Sequence, residues 1–188
     1  MARYGRVAIV LHWAIGLLLL AEIAFGFLLD DIAPRGTPWR GVVVNLHKSV
    51  GVVLIVLGLL RLAWRLRHRP PPWPATLPPW RARAATAMHR ALYAAMIGAP
   101  LAGYVGSNFS RHGVRFFGHP FAPWGPDLPA VYAFCNQLHV ALSWALGLLI
   151  ALHVAAAAEH ALHDDDGVFA RMWPGWRSRH RQRVGQEN

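Results

Sequence analysis

Four of the eleven histidines in this 188-residue chain fall at spacings that could do chemistry. His139 and His153 stand 14 residues apart inside one apolar segment. At about 100° per residue, 14 steps end about 40° short of four whole turns, so both rings leave one face of a helix, about 21 Å apart along its axis. A hydrocarbon core is roughly 30 Å thick, which sets one ring near each side of it. A helix that presents an imidazole at two depths on one face has what it needs to hold two haems stacked across a membrane. Each iron then requires a second axial ligand from another helix, and His12 and His47 are the candidates. Neutral imidazoles bind iron well, and two per haem give a six-coordinate, low-spin centre suited to electron transfer rather than oxygen binding.

The elements that must position these rings are membrane helices. The chain is 55% hydrophobic and only 15% charged, so a bilayer is its expected solvent. Four stretches are long enough to span, about 7–29, 42–64, 86–108 and 131–162. The third is interrupted by Gly98, Pro100, Gly103 and Gly106, which membrane helices tolerate. The expected fold class is an all-α membrane protein, a four-transmembrane-helix bundle forming one domain over 1–188, with a tail at 163–188 and no soluble enzyme module. Arg3 and Arg6 ahead of an apolar run resemble a signal peptide, but the run is too long for a signal core, so the first span is expected to be retained. The single cysteine, Cys135, excludes an internal disulfide.

Arginines set the expected orientation. Arg3, Arg6, Arg61, Arg65, Arg67, Arg69, Arg81, Arg83 and Arg90 lie on one side, with Arg171, Arg177, Arg179, Arg181 and Arg183 in the tail. Only Arg35, Arg40, Lys48, Arg111 and Arg115 lie on the other. The positive-inside rule then puts both termini and the middle loop in the cytoplasm, as an even number of spans requires. The net charge of +10 is therefore a topology signal, and nucleic acid is not an expected partner. With this topology His12 and His153 share the cytoplasmic depth, and His47 and His139 share the outer depth.

Supporting residues recur at the same interval. Arg61 lies 14 residues after His47, at the level of the inner pair, where a haem propionate would offset the cost of a buried guanidinium. Snorkelling to the interface is its other reading. Gly26 lies 14 residues after His12, and Gly16 and Gly51 each lie four residues after a proposed ligand, where a missing side chain leaves room for a flat macrocycle. Glycines in membrane helices also serve helix contact. Lys48 is placed to reach an outer propionate or the outer surface.

These residues resemble the bacterial cytochrome b561 family. The likeness is carried by Ile9–Val10–Leu11–His12–Trp13, Asn45–Leu46–His47–Lys48–Ser49–Val50–Gly51, Arg61–Leu62–Ala63–Trp64–Arg65 and His89–Arg90–Ala91–Leu92–Tyr93. It continues through Gln137–Leu138–His139 and Gly147–Leu148–Leu149–Ile150–Ala151–Leu152–His153, with His160 beyond. It covers nearly the whole chain, all four spans in order. The resemblance implies a four-helix bundle with two haem b groups, His12, His47, His139 and His153 as axial ligands, and exchange of electrons with the quinone pool in a bacterial inner membrane. No Cys-x-x-Cys-His motif is present for covalent attachment. Glu22, a carboxylate inside the first span, is outside the family pattern; an interfacial structural role is expected for it, and facing a wet pocket or carrying protons are its other readings.

Quinone is apolar and exchanges protons on reduction, so its site should combine bilayer access with titratable groups. His89, at the start of the third span, and His160, seven residues after His153, are the candidates. His89 also reads as an interfacial anchor or a propionate contact, and His160 as a helix-end residue near Asp164, Asp165 and Asp166. Outside, the five cations outnumber Asp30, Asp31 and Asp127, and Lys48, Arg111 and Arg115 are the candidates for steering a small anion to the outer haem. Headgroup or propionate contacts are the other reading of these cations. Superoxide is such an anion, and the bacterial branch of the resembled family includes enzymes that pass its electron to ubiquinone. Three function classes follow. They are a superoxide–quinone oxidoreductase, a cytochrome subunit carrying electrons between quinone and a docked hydrogenase, dehydrogenase or soluble redox partner, and a histidine-lined metal transporter. The separated ligand depths disfavour the last.

Overall fold

The apolar stretches fold as helices whose ends follow their proline and glycine punctuation. The computed structural model describes residues 3–74, 76–162 and 167–173. Helix α1 runs Arg6–Phe27, a short α2 Leu29–Ile32, α3 Arg40–Arg67, α4 Pro79–Asn108 and α5 Pro129–Leu162; a hairpin of β1 (Val114–Phe116) and β2 (His119–Phe121) lies between α4 and α5. Asp164, Asp165, Asp166, Arg177, Arg179, Arg181 and Arg183 lie outside the described residues.

Each of the four long helices contributes to one core, in which Ile15 and Leu19 from α1 meet Leu54 from α3, Ala95 and Met96 from α4 and Leu146 from α5. The outward faces stay apolar, with Val10, Leu17, Val56 and Leu148 each more than half exposed, as expected of helices whose solvent is lipid. Helices α1, α3 and α5 are long and apolar enough to cross a membrane. Helix α4 is long but less apolar, because it carries Arg81, Arg83 and Arg90 and is interrupted by Gly98, Pro100, Gly103 and Gly106. Its buried face is a run of small residues, Ala95, Ala99, Ala102 and Gly106, at helical spacing. A Cβ at Gly106 would sit 2.8 Å from the Cβ of Cys135, so α4 and α5 approach as closely as they do because that side chain is missing. The helix also begins earlier than expected, inside the proline-rich stretch, because a proline in the first turn lacks only an N–H that has no helical partner.

The hairpin was not anticipated from the sequence. Its two-residue turn puts Phe117 at φ 45° and Gly118 at φ 93°, the left-handed pair that matches strand twist. Ser49 of α3 clamps it. The fully buried hydroxyl accepts from the Phe117 N–H at 2.9 Å, and its own proton is shared between Arg115 O (3.0 Å) and Asn45 O (2.7 Å). At the opposite end of the bundle, residues 168–173 fold back over the start of the chain. Trp13 Nε1 donates to Met172 O (2.8 Å), Arg3 to Trp173 O (2.7 Å), and the buried Arg171 to Pro72 O (2.7 Å). The first residues, the proline-rich connection and the segment after α5 therefore meet at one end, as the arginine distribution requires.

Candidate functional site

The histidines meet in two clusters at different depths. At the hairpin end, His47 of α3 and His139 of α5 face one another with ring centroids 5.9 Å apart and planes at 77°. Deeper toward the other end, His12 of α1 and His153 of α5 are 6.1 Å apart at 84°. Two imidazoles bonded to opposite sides of one metal ion at about 2 Å bring their centroids to roughly 6 Å, so both pairs fit a bis-histidine metal centre. His89 of α4 also lies beside His153, at 5.6 Å and 67°.

The hairpin-end pair is supported from behind. His139 Nδ1 lies 2.8 Å from the carbonyl of Ala99, an acceptor that holds the proton on Nδ1 and leaves Nε2 free as a ligand. Gly103 makes this reach possible, because a Cβ there would stand 3.1 Å from His139 Nδ1. In the sequence Gly103 read only as an interruption of a span; its role depends on a neighbour 36 positions away. Gly26 behaves similarly, since its Cβ would meet His47 Cε1 at 3.2 Å, and the space it leaves is used by the imidazole ring itself. Gly51 meets only Pro100 at 3.9 Å, and nothing lies within 4 Å of Gly16.

Glu22 turns toward the histidines. Its Oε1 lies 2.8 Å from His47 Nδ1, and the side chain is only 12% exposed and lines a cavity. This arrangement is the pocket-facing one of the readings the sequence offers. An intramembrane carboxylate is costly to keep, and this one faces a candidate ligand.

A cavity of about 1590 Å³ opens beside this pair, lined by Glu22, His47, Lys48, Arg111, Arg115 and His139 among others. Ordinary small-molecule sites occupy about 300–1,000 Å³, so the space admits a macrocycle together with solvent. The cations around it are unequal. Lys48 Nζ donates to Gly113 O at 2.7 Å and so anchors the hairpin, while Arg40 pairs with Asp30 at 2.7 Å. Arg111 donates to Asp127 at 2.7 Å, a contact that raises its guanidinium pKa. Arg115 makes no ion pair among the described residues.

The other cluster is organised around Arg61. One guanidinium nitrogen lies 3.2 Å from His12 Nδ1, another donates to Ala8 O at 3.1 Å, and Tyr93 lies 5.8 Å from the guanidinium carbon. Arg61 therefore turns inward rather than snorkelling. Trp73 lies parallel to His89, with centroids 6.3 Å apart at 6°. A neighbouring cleft is lined by Trp73, Arg83, Thr86 and Arg90. His160 sits in the last turn of α5, two turns beyond His153.

The geometry is matched by likeness to known proteins. Residues 3–175 match the prokaryotic cytochrome b561 family. Cytochrome b561 homolog 2 of Escherichia coli (strain K12) is 30% identical over 178 residues, 90% of each chain. Cytochrome b561 homolog 1 of the same organism is 30% identical over 176 residues, 93% of this chain and 98% of its own. The probable superoxide oxidase CybB of Yersinia pestis is 28% identical over 180 residues, 92% of this chain and 96% of its own.

Proposed function

Because the chain belongs to the prokaryotic cytochrome b561 family of electron-transfer membrane proteins, we propose that it binds two haem b groups and oxidises superoxide on one side of a bacterial inner membrane while reducing ubiquinone near the other. The observation that carries this reading is the recurrence, at two depths on α5, of a histidine facing another helix's histidine at about 6 Å. On this reading α4 is the fourth span, the hairpin end faces outward, and both termini are cytoplasmic. The meeting of Arg3, Pro72 and residues 168–173 at one end supports that orientation.

His47 and His139 would hold the outer haem, and His12 and His153 the inner one, with Arg61 as the propionate partner of the latter. When bound, such groups supply one-electron transfer at two depths without coupling each electron to a proton. Arg115, with Lys48 and Arg111, attracts the anion to the outer cavity. His89, beside both His153 and Trp73, hydrogen-bonds a quinone oxygen through an imidazole nitrogen, and His160 serves the cytoplasmic side of the same site. The overall balance is two superoxide ions giving two dioxygen molecules and two electrons, with one quinone taking both electrons and two protons.

Stopped-flow mixing of the oxidised protein with superoxide tests this directly. Haem reduction within the mixing experiment, and reoxidation on addition of a quinone analogue, are expected. No reduction by superoxide, together with co-purification of a soluble redox protein, would replace this reading by the docked cytochrome-subunit one.

A further inference from the structure

Glu22 and His47 bring two buried polar atoms together. Glu22 Oε1 and His47 Nδ1 are both inaccessible and lie 2.8 Å apart, and among the described residues neither makes a hydrogen bond, so each has the other as its nearest available partner. The other candidate ligands are backed differently. His139 Nδ1 faces the neutral carbonyl of Ala99, and His12 Nδ1 faces the guanidinium of Arg61. Among the described residues His47 alone of these three has a carboxylate behind it.

We propose that Glu22 is a positioning residue that orients His47 for ligation through Nε2 and lowers the reduction potential of the outer haem. This rests on the assignment of His47 and His139 as the outer ligands. A carboxylate that accepts from Nδ1–H holds the ring's proton on that nitrogen and makes Nε2 a more basic donor. A more basic donor, with a negative charge behind it, stabilises ferric over ferrous iron, so the potential falls. Gly26 stands one turn after Glu22 on α1, and its missing side chain lets the His47 ring come up against the helix that carries the carboxylate. The inner site has a cation where the outer has an anion. The two substituents therefore push the two potentials apart, with the outer one lower, which favours inward movement of electrons.

The test is potentiometric titration of the purified holoprotein beside its Glu22→Gln and Glu22→Leu variants, with haem counted by pyridine haemochrome in each. His139→Ala identifies which component belongs to the outer haem. Both haems are expected to remain in Glu22→Gln, because its amide oxygen can stand beside Nδ1 where the carboxylate oxygen does. The outer midpoint should rise in the order wild type, Glu22→Gln, Glu22→Leu, while the inner midpoint stays in place. Unchanged outer midpoints with both haems bound would overturn the proposal. So would loss of the outer haem from Glu22→Gln. If the wild type holds one haem, or if His139→Ala removes neither, it is the ligand assignment that fails. Should Glu22→Leu not fold, Glu22→Gln against wild type decides alone.

Discussion

The outer and inner histidine pairs are nearly alike in separation, 5.9 and 6.1 Å, and unlike in what stands behind the rings. Behind the outer pair are groups that can only accept: the Ala99 carbonyl, which directs the His139 proton to Nδ1 and presents Nε2 to a metal, and the Glu22 carboxylate, 2.8 Å from His47 Nδ1. Behind His12 is a donor. A guanidinium cannot accept, so while Arg61 holds His12 Nδ1 the neutral ring carries its proton on Nε2, the nitrogen that iron needs. Ligation at the inner site therefore requires Arg61 to give up that contact, and a propionate is the partner to which it would turn. Equal ring spacing does not mean equal preparation. The outer site is set by groups that stay where they are, the inner one by an arginine that must exchange partners.

The largest effects that could break this comparison come from the ligands. His47→Ala or His139→Ala should remove the outer haem and leave the inner one, and His12→Ala or His153→Ala should do the reverse, read by pyridine haemochrome. Loss of both haems from each variant would show that the two sites are not separable.

Next in size is Gly103→Val. Its side chain would enter the space of the His139 ring, where even a Cβ stands 3.1 Å from Nδ1. Overpacking of this kind costs about 1–3 kcal/mol, and outer haem occupancy should fall about tenfold or more.

Arg61→Gln sharpens the contrast from the inner side. Removing the cation should lower the inner midpoint by roughly 60 mV, a tenfold change in a one-electron equilibrium, with the outer midpoint unmoved in the same titration. A shift of the outer component instead would reverse the assignment of depths.

The smallest effect concerns steering. Arg111 is already matched by Asp127, whereas Arg115 has no such partner among the described residues, so Arg115→Gln should slow reduction by superoxide a few-fold and Arg111→Gln less. Both rates should fall with salt as the Debye length shrinks from about 10 Å at 0.1 M to about 3 Å at 1 M. A rate indifferent to salt would remove the steering role from this surface.

Much of the site was legible in the sequence because helix geometry is local. Once 131–162 reads as a helix, the shared face and different depths of His139 and His153 follow from the rise and turn per residue, and alternation of spans brings His12 and His47 to matching depths. The same geometry places Arg61 level with the inner pair, where the structure finds it touching His12. Helix α4 was less legible, because its arginines, glycines and Pro100 lower its apolarity, while its small buried residues allow it to pack closely.

What the chain determined by itself was thus the apolar helices, the depths of the histidines and which of them could be partners. Tertiary structure alone decided what lies behind each ring: Glu22 on His47, Gly103 and the Ala99 carbonyl on His139, a guanidinium on His12, and Ser49 under a hairpin that binds Lys48. The physical reason is that depth is carried along one helix by its own hydrogen bonds. The rotation of one helix against another is settled by side-chain volumes and absences at contacts far apart in the sequence.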